Sequence, residues 1–191
     1  LDGYSVSKGL SANLEFNFWQ RLKGNLGVTV QDVAKYEKEA SDKLVKQRPV
    51  LTESWSGNWA VSYSFPMAGL TIDYTGNIYG PMRLPLVSEF DPRSPTSPVW
   101  SLQNIQLTKW FSSKFEVYAG IKNLLNWTPA KSNPFLIARA HDPFDKNVQY
   151  DVNGAVMRTP ENPYALTFDP AYVYAPNQGM RVFAGVRVTV K

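Results

Sequence analysis

The chain of 191 residues is 43% hydrophobic and 14% aromatic, with 6 Trp, 10 Tyr and 10 Phe, which is enough apolar material for one domain. The absence of Cys excludes disulfides and thiol catalysis, and the lone His141 lacks a neighbouring nucleophile signature such as G-x-S-x-G, so no Ser/His/Asp or Cys/His set can be assembled. The net charge of +4 comes from bases scattered among acids, as between Lys35 and Arg48, which argues against nucleic-acid binding, and no apolar run approaches a membrane-spanning helix of about 18 residues or more.

Alternation of apolar and polar side chains, the mark of a strand with one oily and one wet face, begins near the start. Ser5 to Trp19 sets Val6, Leu10, Ala12, Leu14, Phe16 and Phe18 against Ser7, Gly9, Ser11, Asn13, Glu15 and Asn17, with Lys8 as the one lapse on the oily side. After a turn from Gln20 to Gly24, Leu26, Val28 and Val30 alternate with Gly27, Thr29 and Gln31, and the pattern then fades into charged sequence. Thr52 to Phe65 is very regular, with Trp55, Trp59, Val61, Tyr63 and Phe65 opposite Ser54, Ser56, Asn58, Ser62 and Ser64. A tight turn at Pro66 to Gly69 leads to Leu70 to Ile78, where Leu70, Ile72, Tyr74 and Ile78 oppose Thr71, Asp73, Thr75 and Asn77.

The fifth segment, Ser101 to Phe111, carries Ile105, Leu107 and Phe111 on one face, less cleanly than the others. Ser112 to Lys114 turns the chain into Phe115 to Leu125, with Phe115, Val117, Ala119 and Ile121 against Glu116, Tyr118, Gly120 and Lys122. The seventh segment, Arg181 to Lys191, sets Val182, Ala184, Val186, Val188 and Val190 against Arg181, Phe183, Arg187, Thr189 and Lys191.

Three of the connections are hairpin turns of roughly three to five residues. The other three, from about Ala34 to Leu51, Tyr79 to Trp100 and Asn126 to Met180, are long, and long and short alternate strictly. Outer-membrane barrels put short turns on the periplasmic side and long loops outside, so the expected fold is all-β: a transmembrane antiparallel β-barrel, here a partial barrel of about seven C-terminal strands. A soluble β-sandwich is the competing fold, and a passive porin the competing barrel. Against the sandwich stand strands of roughly 10 to 14 residues, a wet face of Ser, Thr, Asn and Gly, and the one-sided loop lengths.

The motifs GPMRLP at Gly80 to Pro85, VYAGIKNLLN at Val117 to Asn126, and the closing GMRVFAGVRVTVK resemble the C-terminal barrel of TonB-dependent outer-membrane receptors, in a style similar to those of Bacteroidota. The penultimate strand of that family ends in Asn-Leu-hydrophobic-Asn, here Asn123, Leu124, Leu125 and Asn126. The close on Val190-Lys191 departs from the terminal aromatic of many outer-membrane barrels. The resemblance implies a parent barrel of about 22 strands with an N-terminal plug absent from this chain. It also implies TonB-dependent active uptake of a scarce nutrient, such as a siderophore, haem or cobalamin. The implied partners are outer-membrane lipid, the protein's own plug, a TonB-type energy-transducing protein and a candidate surface lipoprotein. An even strand number is needed to close a bacterial barrel, so about seven strands also read as a fragment.

No enzyme and no cofactor are expected. Arg139 and His141, in the longest loop, are candidate ligand contacts for haem or a metal chelate, although a loop hydrogen bond is the preferred role for His141. Asp142, Asp145, Asn147 and Asp151 form an oxygen-rich run that suits Ca²⁺ only weakly, because Asp151-Val152-Asn153-Gly154 more simply makes a type I′ hairpin turn. Trp55, Trp59, Tyr63, Phe65, Trp110 and Trp127 are candidate stacking platforms. The first four share one oily face, so lipid-facing girdle is preferred for them, with Val182, Val186, Val188 and Val190 facing lipid beside them. Asp73, Glu116, Lys122 and Arg187 are expected to face the lumen, meeting plug or water.

Overall fold

The computed structural model describes residues 3–38, 43–85, 94–129, 149–153, 157–160 and 173–190. Eight strands form one antiparallel sheet: β1 (Gly3–Phe18), β2 (Leu22–Lys38), β3 (Leu44–Gln47), β4 (Trp55–Phe65), β5 (Leu70–Tyr79), β6 (Trp100–Trp110), β7 (Phe115–Lys122) and β8 (Arg181–Val188). Their order is β1-β2-β4-β5-β6-β7-β8, so each long strand pairs with its sequence neighbour, and β3 pairs with β2. The sheet is open, with β1 and β8 at its edges.

The seven alternating segments correspond to the seven long strands, and two features extend them. The charged tail of the second segment does not fade into a loop; β2 continues to Lys38, because Gly3 to Leu10 of β1 pairs with its whole upper half. The eighth strand, β3, lies in the stretch read as a long loop and occupies the upper part of β4's place beside β2. Between Gln47 and Trp55 the chain runs eight residues where β2 runs five from Val30 to Lys35, so β3 and β4 act as one strand broken by a wide bulge. Gln31 stitches that bulge, its backbone N–H donating to Ser54 at 2.8 Å and its Nε2 to the Glu53 carbonyl at 3.0 Å.

The tight turns use special backbone. Trp19 and Gln20 both have positive φ (49° and 58°) and the Arg21 N–H donates to Phe18. Pro66–Ala68 forms one 3₁₀ turn that ends at Gly69 with φ 55°, where a side chain would strike the Trp110 carbonyl.

Cross-strand partners share a face, so the register sorts every side chain. All seven long strands put most of their apolar residues on the same side, through rows such as Leu14, Leu26 and Trp59, or Ile105, Ile121 and Val182. That face is largely open, with Leu10 77% and Val182 75% exposed. The opposite face carries Ser, Thr, Asn, Gln and Gly joined by pairs such as Ser11 with Thr29 (2.9 Å) and Asn104 Nδ2 to Thr75 (3.3 Å). Two hollows open on this polar side, one lined by Glu15, Lys23, Asn25, Ser62 and Asp73, the other by Asp73, Asn104, Gln106 and Lys122, so the sheet is concave toward it.

Glycines on either face are covered by an aromatic ring from the residue directly opposite. Phe16 lies over Gly24 and Trp59 over Gly76 on the apolar side, and Tyr118 over Gly185 and Phe183 over Gly120 on the polar side. In each case the ring occupies the space that a Cβ would need, which fixes the local register of the pair.

Candidate functional site

The apolar face is a band of six to ten residue steps, longest on β4 (Trp55 to Phe65) and shortest from Ile105 to Phe111 along β6 and from Phe115 to Ile121 on β7. It spans Leu10 to Phe18 on β1, Leu22 to Val30 on β2, Leu70 to Ile78 on β5 and Val182 to Val190 at the end of the chain, about eight residue steps each, or ~27 Å along the strand. The band is not perpendicular to the strands. The row that holds Val182 meets β2 at Gly24, about six residues below the band's upper edge at Val30, after five strand-to-strand steps. The short turns descend in the same sense: Leu22 pairs with Tyr63, two residues short of Phe65, and Leu70 pairs with Lys109, two short of Phe111. A slant of about one residue (~3.3 Å) per strand, against an inter-strand spacing of ~4.8 Å, means strands tilted by about 35° to the band.

Trp55, Trp59, Tyr63, Phe65, Val182, Val186 and Val188 all lie on this face, and Val190 continues it beyond β8. Asp73, Glu116, Lys122 and Arg187 all lie on the polar face. Glu116 and Arg187 are direct cross-strand partners joined by an ion pair of 2.5 Å, and the Trp110 Nε1–H donates to the other Glu116 oxygen at 3.0 Å. Trp110 is therefore a polar-face hydrogen-bond donor near the short turns. Lys122 sits 5.6 Å from the Phe183 ring centre, a cation–π arrangement.

Above the polar face, at the long-loop end, the loops build a small core. Met82, Leu84, Trp100 and Tyr174 are buried, with Tyr79, Leu102, Trp127, Val173 and Ala175 packed on them. Tyr79 stacks on Trp100 at 4.3 Å, Trp100 on Trp127 at 5.1 Å, and Trp127 meets Tyr174 at 6.1 Å. The GPMRLP segment supplies Met82 and Leu84. It is held on both sides, by Leu51 N–H to the Arg83 carbonyl, and by Leu84 N–H to Pro95 and Ser97 N–H to Met82. Trp127 is thus packed into the loop cap, half-buried, with one face of its indole stacked on Trp100.

The Asn123-Leu124-Leu125-Asn126 motif closes the base of the longest connection. Both asparagines have positive φ (51° and 49°). Asn123 is 6% exposed and all its side-chain valences face the loop: Nδ2 donates to the carbonyls of Trp127 (2.7 Å) and Gln178 (2.9 Å), and Oδ1 accepts from the Trp127 N–H (3.0 Å). Asn126 Oδ1 accepts from the Met180 N–H at 2.9 Å. Two residues therefore tie both ends of a connection of more than fifty residues to the top of β7. The sequence displayed the motif but not this role, which depends on partners fifty-five positions away.

Arg139, His141, Asp142, Asp145 and Asn147 lie outside the described residues. Asp151 Oδ1 accepts from the Asn153 N–H at 2.8 Å, and Met157 N–H donates to the Gln149 carbonyl at 2.7 Å, but neither Val152 nor Asn153 has the positive φ that the expected type I′ turn at Asp151 to Gly154 needs, so the chain bends there through the Asp151 side chain instead. Among the described residues no three His, Cys, Asp or Glu side chains gather as metal ligands, and no helix is long and apolar enough to cross a membrane, which says nothing of strands. No protein-family model matches the chain, and searches of curated proteins and of solved structures give no match.

Proposed function

We propose that the chain forms part of an outer-membrane β-barrel of the TonB-dependent receptor type, in a Gram-negative bacterium. Its long loops capture a scarce nutrient such as a siderophore, haem or cobalamin, and its polar face lines the lumen. The observation that carries the reading is the slanted apolar band. Strands tilted by about 35°, with an exposed apolar belt of ~22 Å once that tilt is projected, match the tilt and the roughly 25 Å band of barrels in lipid. A soluble sandwich needs the same face covered, and a monomer in water rarely exposes so large an apolar surface.

In this reading β1 and β8 are paired by further strands, since open edges are not tolerated in lipid. The polar face, lined by hydroxyl and amide pairs and the Glu116–Arg187 pair, contacts a plug domain. The plug is moved by a TonB-type inner-membrane partner, and a surface lipoprotein is a candidate companion of the loops. The choice of active receptor over passive porin rests on the three motifs. GPMRLP and Asn123 to Asn126 both sit in the loop cap, where a receptor positions its ligand-gathering loops.

The test has two arms. The protein is expected to need detergent to stay monodisperse and to migrate differently on a gel before and after boiling; stable monomers without detergent would remove the membrane reading. The coding sequence upstream of Leu1 is expected to specify a plug-sized domain of about 120 to 150 residues. Its absence would leave a porin.

A further inference from the structure

The bulge between β3 and β4 carries backbone strain and charge together. Leu51 holds φ at 57°, a left-handed conformation disfavoured for a residue with a side chain, and its N–H donates to the Arg83 carbonyl at 2.8 Å. The bulge and the Gly80–Pro85 segment are thereby pinned side by side, and Arg48 and Arg83 share one open pocket of about 280 Å³ with Lys35, Glu37, Pro49 and Val50. Neutral acceptors hold both guanidinium groups. Arg48 donates from Nε to the Thr52 carbonyl and from Nη2 to the Gln31 carbonyl, each at 3.4 Å, and Arg83 donates from Nη1 to the Arg48 carbonyl at 3.1 Å and to Gln47 Oε1 at 3.4 Å. Neither arginine pairs with a carboxylate among the described residues, and Glu37, the acid in the pocket wall, is taken by Lys35 at 2.5 Å. Lys35 and Glu37 belong to the polar face of β2, so the pocket lies on the polar side at the long-loop end.

Resting on the receptor reading above, we propose that this pocket is a subsite for a carboxylate group of the captured nutrient, gripped by Arg48 and Arg83. Two cations confined to one pocket repel each other, and the carbonyls that orient them do not neutralise them. A carboxylate supplies the missing charge and accepts paired N–H bonds from a planar guanidinium fork. Arg83 Nε and Nη2 and Arg48 Nη1 have no partner among the described residues and are the donors that remain for it. Lys35 keeps Glu37 from competing for the same donors. Pro49 and Val50 add an apolar wall for the carbon skeleton, which favours an organic acid over inorganic phosphate. The subsite therefore selects a carboxylate-bearing chelate over a neutral one.

The test uses the full-length protein in detergent, titrated calorimetrically with citrate, with its neutral triethyl ester and with inorganic phosphate. Citrate is expected to bind, the ester not to bind, and phosphate to bind about tenfold more weakly than citrate. Arg48→Gln and Arg83→Gln should each weaken citrate about tenfold, and Arg83→Lys should recover only part of that loss, because an ammonium lacks the planar fork. Lys46→Gln, on the opposite face of β3, should leave binding unchanged. Near-ultraviolet circular dichroism of the stacked Tyr79, Trp100 and Trp127 rings reports that the loop cap of each variant is intact. A wild type that ignores citrate, that binds phosphate equally well, or whose citrate affinity survives in the double Gln variant would overturn the subsite, while a detergent requirement would leave the membrane reading standing. Citrate binding by a protein that stays monomeric without detergent would keep the pocket and overturn its place in a receptor.

Discussion

Asn123 shows how much one side chain can organise. Its amide group bonds to two carbonyls and one N–H, and its backbone N–H donates to Asn104 Oδ1 at 3.1 Å. Asn123→Ala strands those partners and places a Cβ-bearing residue without a local hydrogen bond at φ 51°. At about 1–3 kcal/mol per abandoned buried group, the loop base should be destabilised by about 3 kcal/mol or more. Asn123→Asp should be as damaging despite its shape, because it turns an acceptor toward two carbonyls. Asn126→Gly should cost less, since Gly takes the positive φ freely, although the Met180 N–H loses its acceptor. Hydrogen exchange at the Trp127 and Met180 amides would measure all three, and unchanged protection in Asn123→Asp would refute the clamp.

At the scale of the element, a strand in this sheet has two environments separated by one residue. Leu26 lies in the middle of the apolar band and Asn25, its neighbour, faces the polar hollow opposite Glu15. In a bilayer Leu26→Arg should cost about 2–4 kcal/mol, whereas Asn25→Arg should be nearly neutral. Denaturant unfolding from lipid vesicles reads the difference, and equal costs would contradict the assignment of faces. The same alternation is why the seven long strands were legible in the sequence: Thr52 to Phe65 scarcely breaks period two. The upper half of β2 was not, because Gln31 to Lys38 mixes charge onto both faces and is held by pairing with β1 and β3. The loop core escaped for a related reason. Tyr79, Trp100 and Leu102 are apolar residues on the polar face, and only packing against Met82 and Leu84, brought in by the Gly80–Pro85 turn-back, makes sense of them.

For the whole molecule, apolar residues are divided between an exposed belt and a buried cap, and the tryptophans report on both. Trp55 and Trp59 belong to the belt; Trp100 and Trp127 belong to the cap. Brominated lipid should therefore quench the protein's fluorescence through the belt. Trp59→Phe is expected to shrink the quenchable fraction and Trp127→Phe to leave it nearly unchanged, and the reverse order would place the cap, not the belt, in lipid. Tilt was not legible from the sequence, since it emerges only when the register of five successive pairings is compared, each displaced slightly from the last.

The asparagine clamp has one more implication. With Asn126 and Met180 already bonded to each other and Gln178 bonded to Asn123, the ends of the longest connection meet at a fixed gate, and the entropy of closing the loop is borne at that gate whatever lies between. Changes of length or sequence between Trp127 and Val173, inside the gate and clear of the core residues at either end, are then expected to leave the register of β7 and β8 unchanged.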